Sequence, residues 1–353
     1  MDTLLSPHRR RLLGAFGGFG ALALAGCGEE VATAGAARSP AQFTGATMGT
    51  GYVVKLDGAA LPPARLERLA DDVQAALDEV DRRMSLYRPG SELGQLNRHP
   101  AAVPLALSAE LYQVLAAAQR IADLSQGAFD VSVAPLVNAW GFGAEGRRTA
   151  PPVDAEARSR MVGYRSLSLD PQRRAAVKAH SGLQADLGGI AKGYGVDRAA
   201  LALEAAGVED YMIEVGGEVR TRGRNADGRA WRIGIEEPGA LPQRARFVVP
   251  LSGRSMATSG DYRNYFEHGG RRYSHEIDPH TAAPIAHGLA SVTVVADDCM
   301  TADALATALI VLGPQAGWAL ATREKIAAHF IVRGADGRLH DRVTEAFAAL
   351  AAA

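Results

Sequence analysis

The clearest periodicity in the chain runs from Pro62-Pro63, where Leu66, Leu69, Val73, Leu77, Val80 and Met84 recur every three or four residues with charges between them. That spacing predicts an amphipathic helix with its apolar stripe on a core. Ser108 is placed to cap a second helix through Leu111, Leu115, Ala118 and Ile121, which ends before Gly127. Strand patterns lie elsewhere. Tyr52, Val54 and Leu56 alternate in Phe43 to Leu56, a strand broken by Gly45, Gly49 and Gly51, and Tyr211 to Arg222 and Trp231 to Glu236 also alternate. Gly216-Gly217 marks a bulge or a close backbone approach. Ser291 to Ala296 is a continuous apolar run, which predicts a buried strand, and Thr301 to Leu312 predicts a helix stopped by Gly313. A last strand at Ala327 to Val332 and a last helix at Thr344 to Ala352 complete an interleaved α+β (mixed α/β) pattern. No internal repeat and no linker interrupt Ala41 to Leu350, so one compact catalytic body is expected.

Four stretches carry more polar or glycine residues than these elements need. Ala257 to Pro279 places Thr258, Ser259, Asp261, Tyr262 and Arg263 at a turn, lets Gly269-Gly270 reverse the chain, and returns through Tyr273, Ser274, His275 and Asp278. A solvated hairpin and a site fit this segment equally well. Gln184 to Ala199 passes from a short strand through Gly188-Gly189 into a helix carrying Lys192, where backbone amides would face an anion. A tight turn with a surface lysine fits as well, and no Walker loop is present. Gly127 to Gly143 combines Asp130, Pro135, Trp140 and Phe142, a composition suited to a ring-binding wall and equally to a loop packed on a core. Met84 to Asn97 leaves its helix at Pro89-Gly90 and restarts at Ser91, an N-cap residue, with Tyr87 as an aromatic lid or a packing residue.

Composition narrows the partners. The 353 residues carry 38 basic and 39 acidic side chains, a net charge of -1, so no overall field favours nucleic acid or anionic lipid. The N-terminus stands apart: Arg9, Arg10 and Arg11 precede an apolar run too short to span a bilayer, closed by Leu24-Ala25-Gly26-Cys27. Residues 1–26 are therefore expected to be an export signal of twin-arginine type, and the closing residues resemble the lipobox of bacterial lipoproteins, with Cys27 the lipidated residue. Residues 27–40 suit a flexible tether, and 41–353 the folded domain. Cys27 and Cys299 are the only cysteines; with Cys27 acylated no intramolecular disulfide forms, and Cys299 reads as a buried small residue.

Metal chemistry is restricted to oxygen donors. HExxH and CxxC are absent and the nine histidines are dispersed, which argues against zinc. Asp303 and Thr307, four apart on one helix, point their oxygens to the same face, and a hard ion such as magnesium needs few protein groups beyond these. On spacing alone, Asp303 as a dipole partner near the helix start is the favoured reading.

Taken in order, ATMGT, MSLYRPGSELGQLN, GAFDVSVAPLVNAWGFG, DLGGIAKGYGVD, EVGGEV, ATSGDYRNYFE, YSHEIDP and SVTVVADDCMTADALATAL resemble the ApbE family of FAD:protein FMN transferases, over nearly all of Phe43 to Gly313. The resemblance implies a T-fold-like architecture and a magnesium-dependent transfer of FMN from FAD to a Thr or Ser hydroxyl of an exported or membrane-bound redox protein, releasing AMP. It implies magnesium ligands at Asp303, Thr307 and the main-chain carbonyl of Gly189. It further implies FAD contacts at Met48, Tyr87, Ala128, Phe129, Asp130, Asp186, Lys192 and Ile277, and a catalytic role for His275. One departure is Ala282, where the family usually has Gly. Two other readings use the same residues: a magnesium-dependent FAD pyrophosphatase, and a flavin-binding lipoprotein without chemistry. Each places the protein as a lipid-anchored molecule facing the periplasm.

Overall fold

The computed structural model describes residues 41–57 and 61–351. The expected signal segment, Cys27 and the tether lie outside them. One antiparallel sheet of eight strands organises the rest: Ala41–Thr47, Thr50–Leu56, Tyr211–Val215, Glu218–Arg222, Ser255–Gly260, Leu289–Ala296, Ala327–Arg333 and Leu339–Val343. The strands follow one another across the sheet in chain order, each antiparallel to the next. Mixed α+β architecture with antiparallel sheets flanked by helices is thus what the chain adopts.

Alternation along the strands gives the sheet two apolar faces. On one face Val54, Ile213 and Val215 meet Val73 and Leu77 of the helix Pro63–Met84 and Val196 and Leu203 of the helix Ala191–Ala205. Further across that face, Ala257, Val292 and Phe330 pack under Leu305, Leu309 and Ile310 of the helix Cys299–Arg323. On the other face Met256, Val295 and Ile331 meet Trp231, Ile235 and Val249 of a separate hairpin, Trp231–Glu236 with Ala245–Leu251. The helix Cys299–Arg323 is apolar and long enough by composition to cross a membrane, but its buried residues belong to this core.

The predicted helix from Pro62 runs from Pro63 to Met84 with its stripe buried, and Ser91 and Ser108 cap helices by accepting from Gly94 N at 2.9 Å and Leu111 N at 3.1 Å. Several expectations are corrected. Phe43 to Leu56 is not one interrupted strand: Met48 (φ 45) and Gly49 (φ 74) form a two-residue reversal between two strands, with Thr47 opposite Thr50. Positive φ at both positions suits the right-handed twist of a tight hairpin. Gly216-Gly217 likewise makes a turn and not a bulge, with Val215 opposite Glu218, while the close approach expected there is present: Gly216 N donates to Gly51 O at 3.2 Å and a Cβ at Gly216 would lie 2.9 Å from Thr50. The strand expected before Gly188 is reduced to an isolated bridge from Gln184 to Val133. Thr258 and Ser259 sit on the main sheet, so the Gly269-Gly270 hairpin spans only Tyr265–His268 and Arg271–Ser274. Gly313 (φ 80, ψ -176) does break its helix, but Pro314 follows and helix resumes to Arg323, because proline is tolerated in a first turn.

Ala282, the departure noted above, keeps the conformation a glycine would supply: its φ is 55, and its carbonyl accepts from Trp140 Nε1 at 2.9 Å. A side chain in left-handed backbone costs about 1–2 kcal/mol. Ala282→Gly should therefore stabilise the fold by about 1 kcal/mol, read as a higher urea midpoint at unchanged slope; a lower midpoint would show that the turn is not strained.

Candidate active site

Where the helix Ala191–Ala205 starts and the first turns of Cys299–Arg323 cross it, a cavity of about 700 Å³ opens between the main sheet, the loop after Gly127 and the strand end at His275. Such a volume accommodates a ligand far larger than a mononucleoside. Two helices meet here because small residues let them. A Cβ at Gly193 would lie 2.3 Å from Cys299 O and 2.8 Å from Asp303 Cβ, and one at Gly189 would lie 2.9 Å from Thr307 Oγ1. The crossing is clamped by Asp197, whose carboxylate accepts from Cys299 N at 3.0 Å, Met300 N at 2.9 Å and Arg220 at 2.6 Å. Gly193→Ala should force this crossing apart, costing about 1–3 kcal/mol of stability and most of any activity that depends on Asp303. Thermal melts with activity assays check this; wild-type values in both would show that the contact is not tight.

At the crossing, Asp303, Thr307 and Gly189 come together. Asp303 is 3% exposed, its Oδ2 accepts from Gly193 N at 2.9 Å, and its Oδ1 lies 3.8 Å from Lys192 Nζ. The amide at the helix start thus receives the protein's own carboxylate, while the amides of Ile190 and Ala191 bond to Leu187 O. Three amides of the expected anion cradle are thus bonded within the protein. Lys192 also donates to Glu218 Oε1 at 2.5 Å. Burial alone would lower the Lys192 ammonium, but Asp303 and Glu218 outweigh it and hold the group well above the ordinary lysine range. Burial pushes the Glu218 carboxyl up to about 7 against the pull of Lys192, and it pushes Asp303 upward as well.

Two buried carboxylates beside one ammonium leave a net negative charge when both are ionised, and Glu218 Oε2 is buried with no hydrogen-bond partner. Both facts favour an additional cation. A carboxylate, the Thr307 hydroxyl 3.3 Å from Ser259 Oγ, and main chain packed at Gly189 form an oxygen-only donor set that fits magnesium. Among the described residues no three His, Cys, Asp or Glu side chains group together, so at this crossing Asp303 is joined by a hydroxyl and main chain.

Other residues singled out from the sequence divide by placement. Tyr87, Ala128, Phe129, Asp130, Asp186, Gly189, Lys192, His275, Ile277, Asp303 and Thr307 all line the cavity. Tyr87 is 73% exposed at its rim. Met48 lies off the cavity wall, half-buried at its turn, where its methyl group packs against Gly195. Asp130 is engaged within its own loop, accepting from Ser132 N at 2.7 Å, Ser132 Oγ at 2.6 Å and Tyr164 N at 2.8 Å, so it shapes the wall behind the cavity. Asp186 accepts from Gly188 N at 2.7 Å and burial raises its carboxyl. Cys299 is fully buried, its thiol pushed up by burial and donating to Val219 O, which is the structural role expected of it. Glu218 and Glu276 were not singled out in the sequence. Their signal was faint: an acidic residue at an inward strand position after a Gly-Gly turn, and another beside His275.

Residues 48–330 match the model of the ApbE family. The chain belongs to the ApbE family. Among ApbE relatives, a Haemophilus influenzae protein named FAD:protein FMN transferase is 41% identical over 324 residues, covering 90% of this chain and 91% of its own. One of the same name from Vibrio cholerae is 41% identical over 319 residues, with 90% and 92% covered. The apo form of the Pseudomonas stutzeri flavinyl transferase ApbE superposes with a TM-score of 0.79 at 41% identity, over 89% of this chain and 98% of that one. The Vibrio cholerae flavin transferase ApbE does so with a TM-score of 0.80 at 39% identity, over 88% and 99%.

Proposed function

We propose that this chain is an FAD:protein FMN transferase that moves FMN from FAD to a Thr or Ser hydroxyl of an exported or membrane-bound redox protein and releases AMP. The observation that carries this reading is the meeting of Asp303, Thr307 and Gly189 beside Lys192, in the same cavity whose far wall holds Phe142 and His275. Full-length relatives bearing the transferase name support it.

Asp303, Thr307 and the Gly189 carbonyl would hold Mg2+, which when bound neutralises pyrophosphate charge and the charge on departing AMP. Lys192, kept protonated by its two carboxylates, adds a fixed positive charge at the same place. Phe142, Val133, Val137 and Ile277 offer an apolar surface for the isoalloxazine ring, with Tyr87 at the rim. His275 faces the cavity and accepts the proton of the attacking hydroxyl. The hydroxyl oxygen then forms its bond to the FMN phosphorus, the pyrophosphate P–O bond breaks, and AMP leaves with the electron pair.

Export and a lipid anchor at Cys27, facing the periplasm, belong to the same reading and are supported by the arginine, apolar and Leu-Ala-Gly-Cys pattern of residues 9–27. The test is incubation with FAD, magnesium and a candidate acceptor. An FMN-sized mass increase on the acceptor is expected, lost with EDTA. FMN and AMP without an adduct would establish a pyrophosphatase instead, and an unchanged FAD pool would leave only a flavin-binding protein.

A further inference from the structure

The chain bends at His275, between the strands Arg271–Ser274 and Ile277–Asp278, so that His275 and its neighbour Glu276 both reach the cavity. Successive residues of a straight strand would point to opposite faces. Main-chain bonds hold the bend on both sides: His275 N donates to Asn264 O at 3.0 Å and Ile285 N to Glu276 O at 2.9 Å. Glu276 is 8% exposed, and its Oε1 lies 3.7 Å from His275 Nε2. Among the described residues that is the one ion pair Glu276 makes.

The imidazole also meets the ring of Phe142 edge-on, with centroids 6.4 Å apart. Phe142 is itself braced by a stack through Phe266 and Tyr273 to Trp140, at centroid spacings of 5.6, 5.1 and 5.4 Å. The His275 ring therefore has both a stacked aromatic cluster and a carboxylate as neighbours. An almost buried carboxylate with no partner but an imidazole is costly unless that pairing is used.

The charged groups that act on Glu276 are His275, Lys192 and Asp303 from the two crossing helices, and Asp261 at the end of the strand Ser255–Gly260. Burial holds its carboxyl above the ordinary range, opposed by His275 and Lys192. Glu218 already neutralises Lys192 at 2.5 Å, which leaves Glu276 to the histidine.

We infer that Glu276 is a positioning residue for the transfer: its carboxylate orients the His275 imidazole and stabilises the imidazolium formed when that ring takes the acceptor's proton. The inference rests on the transferase reading for the identity of the proton donor. In the step, the hydroxyl O–H bond breaks as O–P forms, AMP leaves with the pyrophosphate electron pair, and the proton stays on His275 beside Glu276. Unlike the acid of a Ser-His-Asp triad, which bonds the ring nitrogen opposite the reacting one, Glu276 lies at Nε2 while Nδ1 is buried, so it acts as a counter-charge beside the nitrogen that takes the proton.

The test compares E276Q, E276D, H275A and the H275A/E276Q pair in the full chain. E276Q should lower kcat about 10–100-fold with the KM for FAD unchanged, E276D should recover part of it, and the double variant should be no slower than H275A. The acid limb of the kcat profile should move to lower pH in E276Q, because the imidazolium loses its counter-charge. Additive losses, or an unmoved acid limb, would overturn the inference. A readout without turnover is the pH dependence of His275 modification by diethyl pyrocarbonate, located by peptide mass spectrometry. Its midpoint should fall in E276Q, and an unmoved midpoint also overturns the pairing. If the wild type releases FMN and AMP without marking any acceptor, the transferase reading fails, while the same comparisons made on hydrolysis still decide the role of Glu276.

Discussion

Asp303→Ala should lower FMN transfer by at least about 10²–10³-fold, the loss seen when a preorganised electrostatic group is removed from a reaction centre. Asp303 is the one carboxylate in the oxygen set with Thr307 and Gly189, and it is almost fully buried. Its removal would leave Gly193 N without an acceptor and Lys192 with a single counter-charge, Glu218 at 2.5 Å. Site charge then moves the wrong way for a dication. Asp303→Asn separates charge from packing, since the amide oxygen can still accept from Gly193 N. The Asn variant should fold, melt within a few degrees of wild type and be nearly as inactive as the Ala variant. The measurement is the rate of FMN adduct formation against magnesium concentration. An Asn variant within tenfold of the wild-type rate would refute the metal role.

His275→Ala should remove about 10²–10⁴-fold of the transfer rate, the range for a positioned general base, while FAD binding changes little. Among the described residues the side chain makes no hydrogen bond, its Nδ1 is buried without a partner, and its backbone bond to Asn264 does not depend on the imidazole. Stability should fall modestly, because loss of the imidazole leaves the nearly buried Glu276 carboxylate without its ion pair. Quenching of FAD fluorescence reads binding and adduct mass reads chemistry, so the two can be separated. Equal loss of both would make His275 a flavin contact, and unchanged turnover would remove it from the mechanism.

Much of this site was legible before any coordinates. Asp303 and Thr307 share a helix face by spacing alone, and the Gly188-Gly189 and His275 segments stood out because their residues exceed what a turn or a hairpin requires. Glu218 and Glu276 were not legible in the same way. A carboxylate on a strand reads as solvated, and only burial against Lys192 or His275 changes its meaning. Met48 shows the reverse case: it sits in a motif with strong family resemblance, yet its turn directs it against Gly195 and away from the cavity wall.

For the fold, period and punctuation decided what is local. The stripe from Leu66 to Met84, the caps at Ser91 and Ser108 and the apolar run at Ser291 to Ala296 each became the element expected, because helix and strand periods and caps are short-range properties. The same is true of the break at Gly313, but not of the helix that resumes beyond it, whose residues are held by packing against Leu309 and Phe330. Pairing across the sheet, the crossing of the Lys192 and Asp303 helices and the bend that turns His275 and Glu276 to one cavity are long-range contacts between segments tens to hundreds of residues apart. The sequence by itself determined which chemical groups are present and which helix face or strand each occupies. Only the tertiary structure decided which of them meet, because the burial and partner distances that set a carboxylate's charge and reach exist only once the sheet has closed over the core.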